Sequence, residues 1–172
     1  MFRLILSDLR AKAQWCYEDP SARGLLKALA TDGTPPMVLY RMMQWSRAHH
    51  LTPLEMLCNK LMVWTCGCVI GRGAEFGPGF VLVHSLGIVI NGRVRGGSHV
   101  YLEHQVTIGA ERDESPRIGD HVYIGAGAKV LASVGSHCRI GANAVVLDTV
   151  PDHATAVGVP ARVIRKETER GG

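Results

Sequence analysis

The stretch "VIGRGAEFGPGFVLVHSLGIVINGRVRGGSHVYLEHQV", residues 69–106, decides the fold. Aliphatic or aromatic residues recur along it at Ile70, Phe76, Leu82, Ile88, Val94, Val100 and Val106, each six after the last. Ile118, Ile124 and Val130 keep the frame, and glycine follows the anchor repeatedly, as in "IGRGA", "FGPGF", "IGDHV", "IGAGA" and "IGANA". A period of six fits neither the 3.6-residue turn of a helix nor the two-residue alternation of a strand. It fits short strands joined by tight turns, with the aliphatic residue inward and glycine easing the corner. Three six-residue sides close a triangular coil, and coils stacked on one another share one continuous core. The prediction is a mainly β chain built as a parallel β-helix.

Two breaks in the period stand out. Between Val106 and Ile118 the frame would turn Arg112 inward, where an unpaired charge is costly, so "GAERDESPR" is expected to leave the coil as a loop. Loops on a rigid scaffold are where binding groups tend to sit. From Val130 to Val134 the step is four, after which Ile140 and Val146 resume the six-residue spacing.

Residues 1–65 follow a different grammar and are expected to be α-helical, with the β-helix over 66–165 and a flexible tail over 166–172. Ser7-Asp8 reads as one helix start and Asp19-Pro20 as another, stopped at Gly33. Pro35-Pro36 suits the first turn of a third helix. Thr52, Pro53 and Glu55 form a capping-box pattern for a fourth, whose Met, Leu and Trp stripe reads as packing.

Composition excludes several classes. With 47% hydrophobic and 20% charged residues the chain has the makings of a packed core. A formal charge of +4, scattered and without a basic block, suits a phosphate-bearing ligand and gives no reason to expect nucleic acid. No apolar run approaches the ~20 residues of a membrane span. Five cysteines without framework spacing, and no signal peptide, point to a reduced cytoplasmic protein.

His84 lies inside "FVLVHSLGIVI", residues 80–90. It is either a satisfied core histidine or a base in a dry pocket, and the residues alone leave both open. His104, two residues before the anchor Val106, is expected to face the interior, and His99, His121 and His137 the surface. His99 and His104 also reproduce a five-residue metal-ligand spacing, the mark of a γ-carbonic-anhydrase-like zinc enzyme on the same scaffold. No convincing first ligand accompanies them, and no metal is expected.

The motifs "GPGFVLVHSLGIVING", "HQVTIG", "PRIGDHVYIGAGAKVL" and "IGANAVVLDTVPDHATAVGVPARVI", in that order, resemble the serine O-acetyltransferase group of hexapeptide-repeat acyltransferases. The resemblance covers about residues 66–165, and the short helical region looks like that of the polysaccharide-biosynthesis members. It implies a left-handed β-helix, a homotrimer with sites between subunits and acetyl-CoA as donor, and leaves open whether trimers pair further as dimers of trimers. It also implies that His84 deprotonates an acceptor hydroxyl. The small residues flanking the CoA groove fall on Gly109, Ala126 and Ala142, and basic residues near the CoA phosphates on Arg162 and Arg165. Glu114 and Ser115 stand in the acceptor loop.

Against the family pattern, the acidic residue before the base is Val83, and the loop histidine and its neighbouring arginine are Ser115 and Glu114. The carboxylate that orients the base aligns with Val69, and with the chain ending "KETERGG" docking on cysteine synthase is not expected. A backbone carbonyl, Glu75, Glu103 or a neighbouring subunit is therefore expected to orient His84. Backbone N–H groups near Thr107 to Gly109 are expected to stabilise the oxyanion. The expected activity is direct acetyl transfer, with no acyl-enzyme, to a hydroxyl acceptor, leaning to a sugar. Authentic serine O-acetyltransferase and a catalytically lapsed scaffold are the alternatives.

Overall fold

The computed structural model describes residues 1–109 and 115–166. Four helices come first: α1 (Phe2–Tyr17), α2 (Ala22–Leu29), α3 (Thr34–Ala48) and α4 (Thr52–Cys66). Thirteen short strands then wind the coil: β1 (Val69–Ile70), β2 (Glu75–Phe76), β3 (Val81–Leu82), β4 (Val89–Ile90), β5 (Arg95–Gly96), β6 (Tyr101–Leu102), β7 (Thr107–Ile108), β8 (Arg117–Ile118), β9 (Tyr123–Ile124), β10 (Lys129–Val130), β11 (Arg139–Ile140), β12 (Val145–Val146) and β13 (Ala154–Val157). A last strand, β14 (Arg162–Lys166), folds back antiparallel on β13. Lys166, expected in the tail, closes this hairpin; the rest of the tail lies outside the described residues.

The result is a left-handed parallel β-helix of about four turns. Its three faces are the sheets β1-β4-β7-β10-β12, β2-β5-β8 and β14-β13-β11-β9-β6-β3. Inward side chains stack in register, as Ile70, Ile90, Ile108, Val130 and Val146 on the first face and Leu82, Leu102, Ile124, Ile140 and Ala156 on the third. Two-residue strands hold because each buries its aliphatic residue against the coils above and below.

All seven expected anchors are buried, yet their unbroken period hides a change of column. Leu82 pairs with Leu102 and Ile90 with Ile108, so eight residues separate Leu82 from Ile90 where six separate Leu102 from Ile108. The corner holding His84 is thus two residues wider than those after β6, β9 and β11. Ile88, Val94, Val100 and Val106 occupy turn positions, with Ile90, Gly96, Leu102 and Ile108 continuing the strand columns. This corrects the reading of His104, which follows Leu102 at an outward turn position and is 47% exposed.

The opposite kind of corner, before β3, β6, β9, β11 and β13, never changes length. There His99, His121, His137 and His153 adopt left-handed backbone conformations, φ 54–57°. Their rings stack in parallel at 4.9, 4.9 and 4.8 Å, the spacing of the coils themselves.

The helices share the coil's core: Met37, Tyr40, Met43, Cys58 and Met62 join one apolar cluster with Ile70, Phe76 and Phe80. Three of the expected helix starts shift: the helix expected from Asp19-Pro20 to Gly33 runs only Ala22–Leu29, with Ser21 as its cap and Gly33 capping α3 instead. Ser7-Asp8 lies inside α1, and Thr52 is the first residue of α4 after the cap Leu51, with Pro53 in the first turn and Glu55 facing Arg47 and Arg72. Asp8 is instead a buried anchor. Its carboxylate takes the Arg41 guanidinium from α3 at 2.6 and 3.0 Å and the Phe80 N–H at 3.0 Å. Arg41 spends its remaining donors on Gln44 and on the carbonyls of Phe76 and Gly77. Removing one member of a buried pair strands the other charge, at about 3–5 kcal/mol. Asp8→Ala is therefore expected to lower the unfolding free energy by about that much, read from urea titrations against wild type.

Candidate active site

His84 stands on the widened corner between β3 and β4, its side chain 57% exposed in the single chain, rather than sunk among its apolar neighbours. Its Nδ1 lies 3.2 Å from Oδ1 of Asp32. Asp32 belongs to the link between α2 and α3, so the carboxylate facing the imidazole comes from the helical region. Of the expected orienters, the two carboxylates of this chain are engaged elsewhere. Glu75 pairs with Arg95 on the second face, and Glu103 accepts the Tyr123 hydroxyl at 3.4 Å. Val69 lies outward on β1.

Local sequence explains how Asp32 gets there. Gly33 packs so tightly that a Cβ would collide with the Leu82 carbonyl oxygen and stand 2.6 Å from Lys12 Nζ. Without a side chain at 33, the link lies against the end of β3. The Ser85 hydroxyl then donates to the Asp32 carbonyl at 3.3 Å, and α3 begins at once with Thr34-Pro35-Pro36.

Two more side chains complete the cluster beneath His84. Lys12 of α1 is fully buried and donates from Nζ to the Leu82 carbonyl at 2.8 Å. Burial pulls its ammonium down to about 8, while Cys16 and Asp32 pull it back up. Burial pushes the Asp32 carboxyl up, but the His84 hydrogen bond and charge, the Ser85 N–H and the Lys12 charge together hold it below the ordinary range. Burial raises the Cys16 thiol, with Lys12 drawing it down and Glu103 and Asp32 adding to the rise. Beside them the His84 and His104 rings stand 6.1 Å apart, and His104 Nδ1 lies 4.0 Å from Glu103. Trp15 of α1 roofs this side, stacked on Tyr101 and Tyr123 at 4.4 and 5.3 Å.

Of the other expected site residues, Ala126 and Ala142 fall on the same corner as His84 and His104, one coil after another. The His104 carbonyl takes the Gly127 N–H at 2.9 Å and the Ala126 carbonyl takes the Asn143 N–H at 2.8 Å, so the small residues line up along one edge. Gly109 lies on the next corner, past the far end of β7, where a Cβ would press to 2.7 Å on Leu131. Arg162 is exposed on β14 near Asp148, 3.7 Å away, and Arg165 follows on that strand opposite Thr155. Ser115 enters β8 with a buried Oγ that has no hydrogen-bond partner among the described residues. Glu114 lies outside the described residues. His99 and His104 occupy opposite ends of β6 and do not converge.

Asp32 and Lys12 belong to no motif. The nearest sequence signal is Asp-Gly directly before a Thr-Pro-Pro helix start, which marks a turn but not its destination.

Known proteins match this architecture and order of residues. The family described as bacterial transferase hexapeptide (six repeats) matches residues 115–148. A serine acetyltransferase of Synechococcus elongatus is 34% identical over 177 residues, covering 99% of this chain and 71% of the relative. The crystal structure of Neisseria gonorrhoeae serine acetyltransferase superimposes with a TM-score of 0.87 at 28% identity, over 98% of this chain and 68% of that one. A serine acetyltransferase in complex with CoA gives a TM-score of 0.79 at 28% identity, over 92% and 68%. With identity of this degree running from the first helix through the last coil, the chain belongs to the serine acetyltransferase family of hexapeptide-repeat transferases.

Proposed function

We propose that the protein transfers the acetyl group of acetyl-CoA to the hydroxyl of serine, with His84 as general base. The observation that carries this reading is the His84–Asp32 contact at the head of the edge formed by Ala126 and Ala142. With Nδ1–H donating to the carboxylate, the Nε2 lone pair is left to take the hydroxyl proton as the oxygen attacks the thioester carbonyl. Asp32, held ionised, stabilises the imidazolium that forms. The C–S bond then breaks, and the imidazolium returns the proton to the departing CoA thiolate. No cysteine is needed: Cys68 is buried and its thiol pushed up to about 12, chiefly by burial and further by Cys66.

The small side chains of Ala126 and Ala142 leave room for the pantetheine arm, with Gly109 entering from the next corner. Arg162 and Arg165 supply charge for the CoA phosphates. Two of the N–H groups near Thr107 to Gly109 donate within the coil, Thr107 to the Ala128 carbonyl and Gly109 to the Val130 carbonyl.

Two features favour serine over the sugar that Val83, Glu114 and Ser115 suggested. Relatives similar along nearly the whole chain are serine acetyltransferases, and one solved relative holds CoA. Asp32 and Glu103 also make this side of the corner acidic, which suits the ammonium of an amino acid better than a neutral sugar. Exposed Leu57 and Trp64 of α4, with Leu86 and Val89 beside the His84 corner, supply an apolar face for neighbouring subunits of a homotrimer. Such packing would dry the half-open site.

The deciding experiment follows CoA release from acetyl-CoA with L-serine, homoserine and simple or nucleotide sugars. Serine is expected to turn over, and His84→Ala to lower kcat by roughly 10²–10⁴-fold. Turnover with a sugar alone, or an undiminished rate in His84→Ala, overturns the reading. Gly33→Ala has its own expected outcome: the added Cβ pushes the link off Leu82 and carries Asp32 away from His84. Its kcat should fall at least roughly tenfold while acetyl-CoA still binds, measured by steady-state kinetics beside calorimetric CoA titration.

A further inference from the structure

We propose that the groove between α1 and the corner before β6 is a binding site for a soluble organic phosphate, apart from the His84 corner and independent of whether His84 is the base.

α1 has two flanks over the third face of the coil. On one, Lys12 is turned to the Leu82 carbonyl, on the His84 side. On the other, Arg3, Ser7, Arg10 and Gln14 follow one another at i, i+4, i+7 and i+11, the spacing of a single helix face. This polar stripe faces His99 and Tyr101 across a groove of about 480 Å³, within the size range of small-molecule sites. Arg162 and Arg165, the charges assigned to CoA, belong to β14, at the opposite end of the sheet from the strand α1 covers.

The groove is rich in donors and no carboxylate lines it. Arg41, Arg47, Arg72 and Arg95 each face an acidic side chain. Among the described residues Arg3 and Arg10 have none within ion-pair distance, and both are exposed. The acids nearby in sequence are committed elsewhere. Asp8 holds Arg41, and Asp19, next to Pro20 of the groove, takes the Ser21 N–H at 2.9 Å. Asp120, at the same corner one coil on, takes the Ser98 N–H at 2.6 Å. A wider groove along the second face, about 760 Å³, differs in this respect, because Asp120 and Asp152 line it beside Arg95 and Arg117.

His99 is held as a fixed donor on the far wall. Its ring lies against Gly79, where a Cβ would stand 2.7 Å from Nδ1, and against the His121 ring at 4.9 Å, so both of its faces are held. With the Tyr101 hydroxyl, 3.4 Å away, donating to Nδ1, the ring hydrogen is on Nε2. Two guanidiniums opposite an imidazole donor leave all three unanswered unless an anion lies between them. Phosphate answers both walls, and arginine meets it with two parallel N–H groups. Leu6 and Pro20 add apolar surface beside these donors. The groove is also larger than a bare phosphate fills, so the phosphate is carried on an organic body.

The test titrates uridine 5′-monophosphate, inorganic phosphate and uridine into the full chain by calorimetry. The monophosphate is expected to bind and to raise Tm, inorganic phosphate to bind more weakly, and uridine to give no heat. Arg3→Gln with Arg10→Gln keeps polar side chains on exposed positions and removes both charges. It should weaken the monophosphate at least roughly tenfold and abolish the rise in Tm. His99→Asn, which suits the left-handed backbone at φ 55°, should weaken it from the opposite wall. Co-sedimentation with vesicles of phosphatidylcholine and phosphatidylglycerol separates a free phosphate from a lipid headgroup, and the chain is expected to stay in the supernatant. Absence of heat from both phosphates overturns the proposal, as does uridine binding as tightly as its monophosphate. Unchanged affinity in the double variant places the ligand elsewhere and overturns it. Unchanged affinity in His99→Asn reduces the site to the loose charge of α1, and sedimentation with vesicles without monophosphate binding makes α1 a membrane-surface helix; either result overturns it too.

Discussion

The buried pair of Asp8 and Arg41 is the interaction on which the arrangement of this molecule depends. A β-helix is complete in itself as a stack, but it has no means of holding helices against its side except through specific contacts. Asp8 and Arg41, each 1% exposed, join α1 to α3 and both to the backbone at Phe76, Gly77 and Phe80. Burying two charges is costly, and the cost is met only where the remaining donors and acceptors are satisfied. Here the guanidinium reaches one carboxylate, one side-chain amide oxygen and two backbone carbonyls. The link between α2 and α3 has its place because the helices on either side of it are fixed.

The coil contributes a different constraint, a fixed rise per turn. Where corner length is constant, side chains of one type pile up at that rise, which is how His99, His121, His137 and His153 come to stack. Where corner length varies, side chains leave the stack. The two additional residues between Leu82 and Ile90 move His84 out of the pile, toward the helices. The same corner on later coils is tight and carries Ala126 and Ala142, so one edge offers a projecting imidazole followed by a smooth path.

The coil was legible in the sequence because aliphatic recurrence and core stacking are the same fact seen in one and three dimensions. The pairing of columns was not. A two-residue insertion in a six-residue repeat lets turn positions take over the anchor frame without a visible break, and for this reason His104 reads as interior when it faces outward. Helix content was legible from Pro35-Pro36 and Thr52-Pro53, but the first helix start was misplaced. Asp8 looks like a cap in one dimension, and its partner Arg41 lies 33 residues away. For the site, His84, Ala126 and Ala142 could be marked by motif, since motif residues lie on the coil. Asp32 and Lys12 could not, because their placement comes from docking, and docking leaves no period.

That difference bears on how a site can change within such a scaffold. A carboxylate carried on the coil, at the position of Val69, would be fixed by the stack and independent of the helices. A carboxylate carried on a helical link ties the His84 imidazole to the docking of α1 and α3, and every contact that fixes those helices becomes part of the geometry around His84. Gly33 is the narrowest point of that dependence, since a Cβ there would run into both the Leu82 carbonyl and Lys12. A coil this rigid cannot adjust to a displaced partner, so the link has to fit the coil. The site therefore tolerates substitution on the exposed faces of the β-helix far better than at the few small or buried residues beneath Asp32.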